Sequence, residues 1–144
     1  AKLGLLSHPN DPHLLNNIIF SLCLQNKIVE AEKYLNDVKK EDIKSRNFSG
    51  ICLTATKGLL YFRKGFYDIG RQFYFESMTM AKEENNSYLS SLAFINYVRE
   101  EILIGNKDIA QVLPDLEKIS KINEGKDIGN DAKDVIQLFN DNMV

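Results

Sequence analysis

The sequence predicts an all-α protein built from a recurring pair of antiparallel helices. Three observations carry that expectation. Apolar residues return at helical rather than strand spacing along most of the chain. The rhythm breaks only briefly, as at Gln25-Asn26-Lys27, and then resumes in phase. Comparable breaks recur, with Asn26, Gly65 and Gly105 lying 39 and 40 residues apart.

The first element follows from Leu15, Ile18, Ile19 and Leu22, one stripe of an amphipathic helix, with Pro12 behind Asp11 suited to its first turn. A second stripe runs Ala31, Leu35, Val38. The intervening Gln25-Asn26-Lys27 leaves room only for a tight turn, and Asn tolerates the left-handed conformation that ends a helix. Two helices so joined must fold back on each other. The second unit repeats the scheme, "FRKGFYDIGRQFYFESM" against "LQNKIVEAEKYLNDV", and a small residue follows each turn by five positions: Ala31, Gly70, Ala110. The mixed-charge run Lys39 to Arg46 between the units predicts a solvated connection.

In the third unit "NNSYLSSLAFINYVREEILIG" predicts a long helix capped near Ser87, with Phe94, Tyr97 and Val98 on its packed stripe. Pro114 predicts either a kink or a restart with proline in a first turn. "NEGKDIG" then predicts a loop. Ala132, Val135, Ile136, Phe139 and Met143 make the apolar stripe of a terminal helix that covers an otherwise open face.

With 144 residues, 44% of them hydrophobic and 26% charged, the chain has the size of one domain. A net charge of −2 supplies no positive field for a phosphate backbone, so nucleic acid is not an expected partner. Apolar runs are interrupted well short of the ~18 residues that membrane insertion requires. A cytoplasmic location is expected, since the given residues open with no charged-then-apolar leader. Cys23 and Cys52 have no CxxC spacing and are read as reduced, small hydrophobes.

No motif for chemistry stands out, and the expectation is a non-enzyme with no cofactor and no metal. His8 and His13 flank prolines without nearby Cys or carboxylate ligands. Glu83-Glu84 and Glu100-Glu101 are adjacent pairs that diverge by about 100° around a helix, so both are expected to be solvated. No phosphate loop, HExxH or GxSxG is present. In the run Phe73-Tyr74-Phe75, Tyr74 is expected in the core, Phe73 against the next unit, and Phe75 exposed as an interface candidate.

From Pro9 to about Met80 these residues resemble the tetratricopeptide repeat family, whose unit is a helix pair of about 34 residues. The resemblance rests on "HPNDPHLLNNIIFSLCLQNKIVEAEKYL" and on "ATKGLLYFRKGFYDIGRQFY", in which Gly58, Tyr61, Gly65, Tyr67, Gly70 and Tyr74 fall at patterned places. It departs from the family in its longer spacing and its weak third unit. It implies a right-handed superhelical stack of antiparallel hairpins with a C-terminal capping helix. Residues 1–9 would be the end of a preceding repeat or an N-terminal cap. Repeat 1 would span 10–43, repeat 2 47–84, an irregular repeat 3 87–122 and the cap 130–144.

The resemblance also implies that the places of Gly58 and Gly70 face each other where two helices come closest, as would Ile19 with Ala31 and Val98 with Ala110. It implies binding of a peptide or helix of a partner protein in a concave groove lined by the first helices. Carried over by position, that groove presents His13, Asn16, Asn17, Phe20, Cys23 and Leu24. The second unit adds Cys52, Ala55, Thr56, Leu59, Phe62 and Arg63, and the third Leu92, Ile95, Asn96, Arg99, Ile102 and Leu103. Asn17 and Asn96 stand where family members hold a ligand backbone, but the basic residues of the carboxylate-clamping subfamily are missing, with His13, Cys52 and Leu92 in their places. The alternatives are a regulatory or sensor domain of a larger protein, or a module that makes a homodimer.

Overall fold

The computed structural model describes residues 11–143, which form eight α-helices, one 3-10 helix and no strand. In chain order these are α1 (Pro12–Leu24), α2 (Ile28–Asn36), α3 (Lys40–Lys44), α4 (Phe48–Arg63), α5 (Tyr67–Glu83) and α6 (Ser87–Leu103). The 3-10 helix Lys107–Val112 follows, then α7 (Leu113–Ile122) and α8 (Asp127–Met143). The expectations for residues 1–9, His8 included, and for Val144 lie outside the described residues. The chain divides between Ser90 and Ser91 into two compact units.

In the first unit, Asp11 starts α1 by accepting the amides of His13 and Leu14 at 2.9 and 3.2 Å, with Pro12 in the first turn as its lack of an N–H favours. The helix ends at Asn26, whose φ of 59° is left-handed. There the Lys27 amide donates to the Leu22 carbonyl at 2.9 Å and the Asn26 amide to that of Cys23 at 3.0 Å. This paired bond satisfies carbonyls that a helix end would otherwise leave open. The same closure recurs at Gly65 (φ 89°) and Gly105 (φ 82°), the two other predicted turns, and also at Asn85 (φ 54°) between α5 and α6. Lys27 and Phe66, which donate the closing bonds, immediately precede α2 and α5. The turns at Asn26 and Gly65 therefore each reverse the chain in a few residues.

α4 and α5 form the best-packed hairpin. Ser77 Oγ donates to the Ile51 carbonyl at 2.8 Å, Gly58 faces Gly70, and the rings of Phe62 and Tyr67 lie 5.8 Å apart. The partners advance along one helix as they retreat along the other, so the pair is antiparallel. The close approach has a direct cause. A Cβ placed on Gly58 would stand 2.9 Å from the Gly70 carbonyl oxygen, and one on Gly70 would stand 2.9 Å from that of Gly58. Only hydrogens fit between the backbones. Tyr74, 1% exposed, fills the space beside Gly58 and packs its ring 5.9 Å from that of Phe62.

α1 and α4 lie side by side and parallel. The Thr56 hydroxyl donates to Asn16 Oδ1 at 2.6 Å, and Arg63 Nη1 donates to the Cys23 carbonyl at 3.1 Å. Both bonds join residues 40 apart, so the two helices keep one register along their length. Phe73 stacks on Tyr61 at 5.5 Å, with Lys57 Nζ 4.6 Å from its ring centroid. The partner helix of its own hairpin thus packs on Phe73, which stays half-buried.

The run from Lys39 to Arg46 is also not simply a loop. Lys40–Lys44 forms α3, with Glu41 and Asp42 in its first turn and Lys44 in its last, which suits the helix dipole. Thr54 Oγ1 donates to the Gly50 carbonyl at 2.9 Å and reaches the Ile43 carbonyl at 3.4 Å, tying α3 to α4.

In the second unit Pro114 sits in the first turn of α7, so the chain restarts rather than kinks. Before it, residues 107–112 wind as a 3-10 helix with Ala110 exposed. The expected pairing of Val98 with Ala110 is therefore corrected: no α-helix carries Ala110 inward. α8 begins at Asp127, three residues earlier than expected, because the Asn130 amide already donates to the Lys126 carbonyl at 3.1 Å. Its stripe Ile128, Ala132, Val135 and Phe139 is buried and α8 packs on α7, where Leu116 is 0% exposed.

Candidate functional site

The first-helix face of the first unit is the candidate site. On α1, His13, Asn17, Phe20 and Leu24 recur every turn, and on α4, Phe48, Cys52 and Ala55 do the same. His13 and Phe48 bring the two rows together at one end, their rings 6.4 Å apart. Phe48 is 49% exposed and Leu24 41%, while Phe20, Cys52 and Ala55 are half-buried. The face is mostly apolar, with the Asn17 amide exposed within it.

Other expected groove residues are used inside the unit. Thr56, Leu59 and Phe62 are buried, at 4%, 0% and 3% exposure, and this corrects the reading of them as surface. Phe62 turns toward Tyr67 and Tyr74 in its own hairpin, and the Thr56 hydroxyl is bonded to Asn16, which holds that amide in the seam. Arg63 donates to the Asn26 side chain at 2.9 Å as well as to the Cys23 carbonyl, so its guanidinium completes the C-terminal end of α1, where a cation is favoured. Sequence position could not separate these inward residues from the outward ones, because α4 packs against α1 on one side and α5 on another and so buries most of its residues.

Asn96 and Arg99 lie on α6 within the second unit. Arg99 Nη1 donates to Asn96 Oδ1 at 2.9 Å and its Nε to Glu100 Oε2 at 3.1 Å. Glu100 and Glu101 are 2% and 1% exposed, so the expectation that they are solvated is overturned. The reason is chemical. Arg99 neutralises the first, and the Tyr97 hydroxyl donates to the second one helical turn away. Phe75 is exposed as expected, at 48%.

Two titrating groups give direct tests. Burial pushes the Cys52 thiol up to about 11, so almost none of it is thiolate at neutral pH. Alkylation of Cys52 by iodoacetamide at pH 7.5 is expected to run at least about tenfold slower than that of an unperturbed cysteine in an unfolded peptide. In α8, burial, followed by the charges of Asp134 and Asp127, raises the Asp131 carboxyl above its ordinary value against an opposing pull from Arg99. A raised folded-state value favours the protonated form. That contribution is full below the unfolded value and is lost as pH rises through the folded one. Asp131→Asn is thus expected to melt higher than the parent at about pH 7, with the difference closing at about pH 3. Equal melting temperatures at both would contradict the assignment.

Lys64 Nζ lies 2.6 Å from Glu32 on α2, and that contact holds the ammonium above its usual range. It rests near the Tyr61 and Phe66 rings, 5.3 and 5.6 Å from their centroids. Among the described residues, no three His, Cys, Asp or Glu side chains converge as a metal site requires, and no helix is long and apolar enough to cross a membrane. No protein-family model, curated protein or solved structure matches the chain.

Proposed function

We propose that the chain is a tetratricopeptide-like repeat scaffold, a right-handed stack of antiparallel hairpins capped by α8, that binds a peptide or helix of a partner protein. It carries out no reaction of its own. The observation that supports this reading is the parallel packing of α1 and α4 through bonds between residues 40 apart, nearly the interval between the hairpin turns. A stack of repeats sets its first helices side by side in this way, and their outer faces then form one continuous binding surface. The apolar row Phe20, Leu24 and Phe48 around the Asn17 amide has the composition of a helix-in-groove or extended-peptide site.

Light scattering across a concentration series comes first. A monomer leaves the face free, whereas a tight dimer favours the oligomerisation reading through an exposed residue such as Phe75. Peptides selected from a displayed random library are then titrated against the parent and against Leu24→Ser. Binders that lose about tenfold or more in the variant support the groove. Binders indifferent to Leu24, or no binders at all, overturn it. A regulatory role within a larger protein would use the same surface.

A further inference from the structure

We draw no further inference here: the strongest candidate, the apolar patch at the turn edge of the first unit, where Val29, Phe66, Tyr67 and Ile69 stand 40–71% exposed around the turns at Asn26 and Gly65, carries none, because the acids and bases beside it pair with each other, Lys64 with Glu32 and Arg71 with Asp68, and nothing in the structure shows what covers it.

Discussion

Gly58→Leu is expected to destabilise the protein by about 1–3 kcal/mol, read as a lower midpoint of urea unfolding at unchanged slope. Helix propensity alone predicts the reverse, since glycine in a helix interior costs about 1 kcal/mol relative to alanine and leucine is a good helix former. The sign is set by space. A Cβ at this position meets the Gly70 carbonyl oxygen at 2.9 Å and a Tyr74 ring carbon at the same distance, and backbone cannot swing aside as a side-chain tip can. Gly58→Ala isolates the effect, because it adds the crowded atom and little else. Destabilisation by alanine as well would place the cost in the backbone approach. Stabilisation by alanine would mean that the α4–α5 crossing is looser than described.

Arg99→Ala is expected to cost about 3 kcal/mol or more, because it leaves the Glu100 carboxylate, 2% exposed, without its guanidinium. Combining it with Glu100→Leu should restore much of the loss, since replacing both members of a buried pair by apolar groups is often close to neutral. The cycle separates two roles for Arg99. A residue that only met a ligand would cost binding and leave unfolding unchanged. A residue that neutralises an interior carboxylate costs stability in the single variant and regains it in the double. The bond from Arg99 Nη1 to Asn96 also predicts that Arg99→Ala loosens the Asn96 amide, visible as a change in its side-chain NMR signals.

The functional reading of Asn96 and Arg99 changes accordingly. The resemblance placed them as surface groups offered to a partner. Their contacts make them first of all a means of holding charge on α6. In the first unit the seam between α1 and α4 likewise absorbs Asn16, Thr56 and Arg63, and leaves Asn17, Phe20, Leu24 and Phe48 as the face. The face is narrower than position alone implied, and more apolar.

The sequence by itself determined most of the helices and the reversals at Asn26 and Gly65, and the resemblance added one crossing. Asn26, Gly65 and Gly105 adopt the left-handed conformation that their residue types permit, and Gly58 and Gly70 meet because only glycines allow it. These are local or pairwise properties, fixed by the chemistry of one or two residues. Tertiary structure alone decided what long side chains do. Glu100 and Glu101 read as solvent-facing until Arg99 and Tyr97 supply their partners, and Arg63 reads as a groove cation until the carbonyl of Cys23, 40 residues away, receives it. α3 and the early start of α8 were hidden for a related reason. A helix of five residues is too short to hold in isolation and glycine disfavours one, and tertiary contacts such as that of Thr54 with Ile43 outweigh these costs once the chain is packed. Helical rhythm records which face is apolar; burial of a polar group depends on a partner that rhythm does not record.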